Sequence, residues 1–228
     1  MSHKLNMTRL KAVSNALAEW KEDVIFVGGA TVSLYATSPE AIEARPTNDV
    51  DVVVELLSLK HFYQMQERLL ELGFKNDIEA PIISRFIYQG IKVDFMPTDE
   101  SILGFSNIWY KPGIKNAIEK KLDNGSSIKV FSPPYFIASK IEAFKSRGKN
   151  DLFASHDFED LVFVLDNKYD IEDDLIGCPE DVRTYLKKEF SDMAKDSLFK
   201  EALLGHVEQL NQMNRVNKIM LLLKKVIA

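Results

Sequence analysis

Val24-Ile25-Phe26-Val27-Gly28-Gly29-Ala30-Thr31-Val32-Ser33-Leu34-Tyr35 and, after a polar connection, Arg45-Pro46-Thr47-Asn48-Asp49-Val50-Asp51-Val52-Val53-Val54-Glu55 decide how this chain folds. Val24–Val27 is an apolar run of the length a buried strand needs. Gly28-Gly29 stops it, and Ala30–Tyr35 resumes with residues compatible with a helix. A strand that ends in two glycines and opens into a helix gathers backbone N–H groups at one spot. Such a spot favours an anion, and glycine permits close backbone approach and positive φ. Gly28 and Gly29 are therefore candidates to seat phosphate.

Asp49-Val50-Asp51 enters a second apolar run, Val50–Val54. Strand side chains alternate, so Asp49 and Asp51 share a face, roughly 7 Å apart along the backbone at about 3.3 Å per residue. Two like charges so placed are costly unless a cation lies between them. Oxygen-only donors suit Mg²⁺ or Mn²⁺, which is commonly held by carboxylates together with substrate phosphates. Further on, Ile82–Tyr88 and Ile91–Met96 flank Gln89-Gly90, which reads as a β-hairpin. Asp94 in the second arm stands among apolar neighbours. It either faces solvent on a strand edge or faces the same cation as Asp49 and Asp51, because a buried unpaired carboxylate is expensive.

Gly28-Gly29 followed by Thr47-Asn48-Asp49-Val50-Asp51 resembles the glycine-rich turn and D-x-D signature of the DNA polymerase β-like nucleotidyltransferase superfamily. Arg45 to Asp51, R-x-T-x-D-hydrophobic-D, is most similar to its AbiEii-type branch, which includes bacterial toxins of toxin–antitoxin and abortive-infection systems. That superfamily keeps a third carboxylate on a later strand, where Asp94 stands. The resemblance implies an α+β fold with an α/β-like core: a small mixed or antiparallel twisted sheet flanked by helices, plus a C-terminal helical region. It implies transfer of an NMP from an NTP to an acceptor hydroxyl, with release of pyrophosphate. Asp49, Asp51 and Asp94 would be catalytic and hold Mg²⁺ or Mn²⁺. Gly28, Gly29, Thr47, Lys140, Arg147 and Asp157 would bind the nucleotide. The acceptor would be RNA, tRNA or protein, and an antitoxin protein would be the partner. The alternatives are a small-molecule nucleotidyltransferase of the antibiotic-modifying type and a catalytically inactive nucleotide-binding module.

Outward from these motifs the chain is plainer. Leu10, Val13, Leu17 and Trp20 give Leu5–Trp20 a helical stripe, and Leu59, Phe62, Met65, Leu69 and Leu72 do the same for Leu56–Leu72. A short helix is expected over Pro112–Leu122, where Lys111, Lys115, Lys120 and Lys121 read as a solvated face, and a strand over Ile128–Phe131. Ser132-Pro133-Pro134 marks a boundary between a catalytic domain, 1–132, and a helical domain, 133–228. Beyond it Tyr135–Arg147 reads as a helix with Pro134 in its first turn. Lys140, Lys145, Arg147 and Lys149 against Glu142 make residues 140–149 locally basic. Asp157 and Asp160 also suit the first turn of a helix over Asp157–Leu165, where acids complement the dipole. Asp166–Asp174 reads as an acidic loop, and helices follow from Pro179, over Phe199–Leu210 and over Val216–Ile227.

Composition bounds the rest. The 228 residues are 46% hydrophobic and 28% charged, the profile of an ordinary globular chain. A net charge of −5 argues against an extended DNA-binding surface. The single cysteine, Cys178, can form no internal disulfide, which fits a reducing cytoplasm, and reads as buried packing. No apolar run reaches membrane-spanning length, and the four histidines show no zinc-type spacing.

Overall fold

The computed structural model describes residues 2–56 and 58–228; the side chains of Ser2, His3 and Glu19 fall outside that description. Contacts divide the chain into two compact units, 1–33 with 45–132, and 34–44 with 133–228. The architecture is α+β: one mixed seven-stranded sheet and, in the second unit, helices.

In the first unit, strand β1 (Val24–Val27) runs antiparallel to β2 (Asp49–Val54), with Val27 opposite Asp51. β2 runs parallel to β5 (Ile91–Pro97), so that Asp51 and Asp94 are register partners. β4 (Arg85–Tyr88) folds back on β5 through Gln89 and Gly90, whose φ angles of 48° and 80° are those of a tight left-handed turn. The two-residue β3 (Lys75–Asn76) edges β4. On the other side β7 (Ser127–Phe131) pairs parallel with β1 and antiparallel with β6 (Ala117–Lys121), giving the order β3-β4-β5-β2-β1-β7-β6.

The valines of β2 supply apolar surface: Val50, Val52, Val53 and Val54 are buried. Phe95 is the hub of the core. It stacks on Trp20 (ring centroids 5.9 Å, interplanar angle 7°) and meets Phe74 and Phe86 edge-on. Adjacent strand residues point to opposite faces, so locking Phe95 inside fixes where Asp94 points. Helix α1 (Ser2–Leu17) buries Met7, Leu10, Val13 and Leu17. Helix α2 (Leu59–Glu71) begins at Ser58, whose hydroxyl accepts from His61 N, and buries Phe62, Met65 and Leu69. Short helices α3 (Glu100–Leu103) and α4 (Tyr110–Lys115) lead into β6.

The second unit is built on α5 (Pro133–Ser146) and α6 (His156–Asn167), joined through Phe144 and Phe158 at 5.4 Å. Around them lie α7 (Ile171–Ile176), α8 (Glu180–Met193), α9 (Phe199–His206) and α10 (Gln212–Ile227). Residues 34–44 cluster here because Tyr35 packs on Phe136 at 4.6 Å and α6 holds the backbone. Thr37 N and Ser38 N donate to the Asn167 carbonyl, Ile42 N donates to Asn167 Oδ1, and Arg215 bridges Asp166 and the Glu40 carbonyl. Cys178 is buried, and its Sγ donates to the Leu175 carbonyl.

Three elements differ from the sequence expectation. The helix expected over Pro112–Leu122 stops at Lys115, and Ala117–Lys121 is strand β6, recruited by pairing with β7. Gly113 sits under the Phe131 ring, where a Cβ would lie 2.7 Å away. The expected loop Asp166–Asp174 contains the start of α7, because Ile171 and Leu175 bury themselves one turn apart. Gly29–Tyr35 is a 3₁₀ segment of seven residues rather than an α-helix. Among the described residues no helix is long and apolar enough to cross a membrane.

Candidate functional site

β2 and β5 lie side by side in parallel, so Asp51 and Asp94 project next to each other and Asp49 sits one strand period earlier. Oxygen atoms of Asp49, Asp51 and Asp94 all fall within 4.8 Å of one another. The Asp94 side chain is 8% exposed and that of Asp49 39%, so the cluster reaches from solvent into the sheet. Gly28 closes one side. It has φ +73°, and a Cβ there would lie 1.8 Å from Asp51 Oδ2. The lack of a side chain at Gly28 is thus what gives the Asp51 carboxylate its place. Gly29 is buried and opens the 3₁₀ segment.

The segment before Asp49 is pinned by α1. Asn6 is completely buried; its Nδ2 donates to the Arg45 carbonyl at 2.9 Å and its Oδ1 accepts from Thr47 N at 3.0 Å. Arg9 donates to the Thr47 carbonyl. The Thr47 hydroxyl donates to the Asp49 carbonyl at 3.1 Å, which orients the aspartate strand from its start. Asn6 and Arg9 escape sequence reading because their partners lie about forty residues away, and nothing in the stripe of α1 marks them.

Arg85 was also missed. It stands opposite Asp94 across the β4–β5 hairpin and takes both carboxylate oxygens, Nε to Oδ1 at 2.6 Å and Nη2 to Oδ2 at 2.6 Å. Its Nη2 lies 3.9 Å from Asp49 Oδ2. The hydrogen bond to Asp94, aided by the charges of Asp94, Asp49 and Asp51 and opposed by burial, raises the guanidinium pKa further above its ordinary value. A signal existed: counting outward from the Gln89-Gly90 turn pairs 88 with 91 and therefore 85 with 94.

Lys140, Arg147 and Asp157 belong to the second unit and meet there. Lys140 is buried, its Nζ 3.0 Å from Asp157 Oδ1 and 2.6 Å from Asp160 Oδ2. Arg147, with a side chain 69% exposed, donates from Nε and Nη2 to Asp157 at 2.7 and 2.8 Å. Burial pushes the Lys140 ammonium down, but Asp160 and Asp157 more than offset it, leaving its pKa raised. Burial likewise pushes Asp157 up, yet Arg147 and Lys140 together hold it well below the ordinary carboxylate range. Asp157 lies in the first turn of α6, behind the Ser155 cap, and Asp160 follows just beyond that turn.

A mixed sheet carrying three clustered acids on two neighbouring parallel strands defines an α+β protein of nucleotidyltransferase-like fold. A family model described as "Nucleotidyl transferase AbiEii toxin, Type IV TA system" matches residues 11–210. The chain belongs to this AbiEii family of nucleotidyl transferase toxins from type IV toxin–antitoxin systems. No curated protein matches it.

Proposed function

We propose that this protein is a metal-dependent nucleotidyltransferase that moves an NMP from an NTP to an acceptor hydroxyl on RNA, tRNA or a protein, and that it acts as the toxin of a toxin–antitoxin pair. The observation that carries this reading is the convergence of Asp49, Asp51 and Asp94 within 4.8 Å, beside a glycine that leaves them room. The donors are hard oxygens, and three carboxylates in so small a space call for compensating positive charge, which fits Mg²⁺ or Mn²⁺. A bound ion of this kind neutralises phosphoryl oxygens and lowers the pKa of an attacking hydroxyl.

The chain's own groups would do the following. Asp49, Asp51 and Asp94 hold the ion. Asn6, Arg9 and Thr47 keep the Asp49 backbone in place. The 28–29 turn lets phosphate approach closely. The acceptor hydroxyl gives up its proton to solvent and its oxygen forms a bond to the α-phosphorus as the bond from that phosphorus to the bridging oxygen breaks, and pyrophosphate leaves. Lys140, Arg147 and Asp157 are assigned to the nucleotide; support for Arg147 is its largely exposed side chain, with Lys140 and Asp157 holding it in position.

The test is transfer of label from each α-labelled NTP, with Mg²⁺ or Mn²⁺, to total RNA and to lysate protein. Label should appear in one fraction, vanish with chelator and vanish in Asp49→Ala. Full activity of that variant would overturn the site. Growth arrest on expression, lost in Asp51→Ala, is expected of a toxin; its absence would move the reading to a small-molecule enzyme.

A further inference from the structure

In the hairpin that carries Asp94, Arg85 sits as a cation supplied by the chain itself. Its fork meets the carboxylate on two parallel hydrogen bonds of 2.6 Å, the strong bidentate geometry of a charge-assisted pair. The pair is largely shielded, with side-chain exposures of 21% and 8%. Arg85 Nη2 also approaches Asp49 to 3.9 Å, so the guanidinium is shared between two of the three acids.

A carboxylate offers about four lone-pair positions, and the fork occupies one on each oxygen of Asp94. A divalent ion drawn to the same three residues would seek the same oxygens. It would also bring a double positive charge next to a single one in a partly buried place, where charges are weakly screened.

Resting on the reading of Asp49, Asp51 and Asp94 as a metal site, we propose that Arg85 is the resident counter-cation of that site and competes with a divalent ion for the Asp94 carboxylate. Arg85 is then a positioning residue with two consequences. It keeps the acids compensated while no ion is bound, and it sets the concentration at which metal loads. A simple strut would behave in the opposite way: its removal would leave Asp94 disordered and weaken metal binding.

The experiment is Mn²⁺ titration of the full chain, followed by electron paramagnetic resonance of free Mn²⁺, with thermal melting in chelator and in Mn²⁺. Arg85→Gln should bind Mn²⁺ about tenfold or more tightly than the parent, the scale set by losing a competing charge-assisted pair. It should melt lower in chelator and gain more from Mn²⁺ than the parent does. Arg85→Lys keeps the charge but loses the fork, so its affinity should lie between the two. Unchanged or weaker Mn²⁺ binding in Arg85→Gln would overturn the proposal. Should that variant not fold, Arg85→Lys decides: binding tighter than the parent supports competition, and binding no tighter sinks it. Asp51→Asn separates the two layers of argument. Mn²⁺ binding that this change leaves intact removes the metal site itself, whereas binding that it abolishes, with Arg85 variants no tighter than the parent, removes only the competition.

Discussion

Two charge clusters made of the same kinds of residue stand one in each unit, and they are built on opposite plans. In the second unit Lys140 and Arg147 face Asp157 and Asp160, two cations to two anions. The Lys140, Asp157 and Asp160 side chains are each 7% exposed or less. In the first unit Asp49, Asp51 and Asp94 gather around Arg85, three anions to one cation, with Asp49 open to solvent. The difference follows from access. Buried charges must be matched within the chain, because desolvation leaves no other compensation. A cluster that solvent reaches can draw compensation from outside the chain, as the proposed metal ion would supply. The matched, buried cluster locks the second unit while leaving the Arg147 side chain largely exposed, and the open one is the proposed metal site.

The largest expected effect falls on the lock. Lys140→Ala should cost about 3–5 kcal/mol of unfolding free energy, because two buried carboxylates lose their shared partner. Urea denaturation measures it, and a loss below about 1 kcal/mol would erase the distinction between the clusters. Next, Asp157→Asn should cost about 2 kcal/mol near neutral pH, the scale of charge-assisted hydrogen bonds. The sign with pH is determined by Asp157 being held below its ordinary value of 3.8. Its contribution is fully present above that value and is lost as pH falls through the depressed one. The gap in Tm between parent and variant should therefore narrow below about pH 4; a constant gap would show that the carboxylate charge is not what holds the cluster.

Asn6→Ala sharpens the other side. It strips partners from Thr47 N and the Arg45 carbonyl, and should cost about 1–3 kcal/mol. Mn²⁺ affinity should fall with it; unchanged affinity would mean that α1 does not place Asp49. The smallest expected effect is that of Asp51→Asn on stability in chelator, within about 1 kcal/mol and toward higher Tm, since one like charge is relieved. A penalty as large as that of Lys140→Ala would make the acid cluster a lock as well.

How much was legible varies by element. The β1 and β2 strands, the Gln89-Gly90 turn and helices α5, α6, α8, α9 and α10 follow from local pattern, and so were read close to their observed spans. Strand β6 was not, because Ala117–Lys121 owes its state to β7, and its own sequence has no apolar alternation strong enough to announce a strand. Asp49 and Asp51 were legible as a pair from the two-residue period alone. That Asp94 joins them depends on the parallel register of β2 with β5, which crosses more than forty residues of chain.

By itself, then, the sequence determined the local states and the chemical inventory: an apolar run ended by two glycines, a pair of acids in step along one strand, a hairpin bearing a third, and a basic helix followed by an acidic one. Only the tertiary structure decided which of these charges answer one another. It brought Arg85 onto Asp94, put the Asp51 carboxylate where a side chain at residue 28 would be, and buried Lys140 between two aspartates. The physical reason is range. Backbone propensity and periodicity act over a few residues, whereas ion pairing and close packing depend on distances that exist only after the chain has folded.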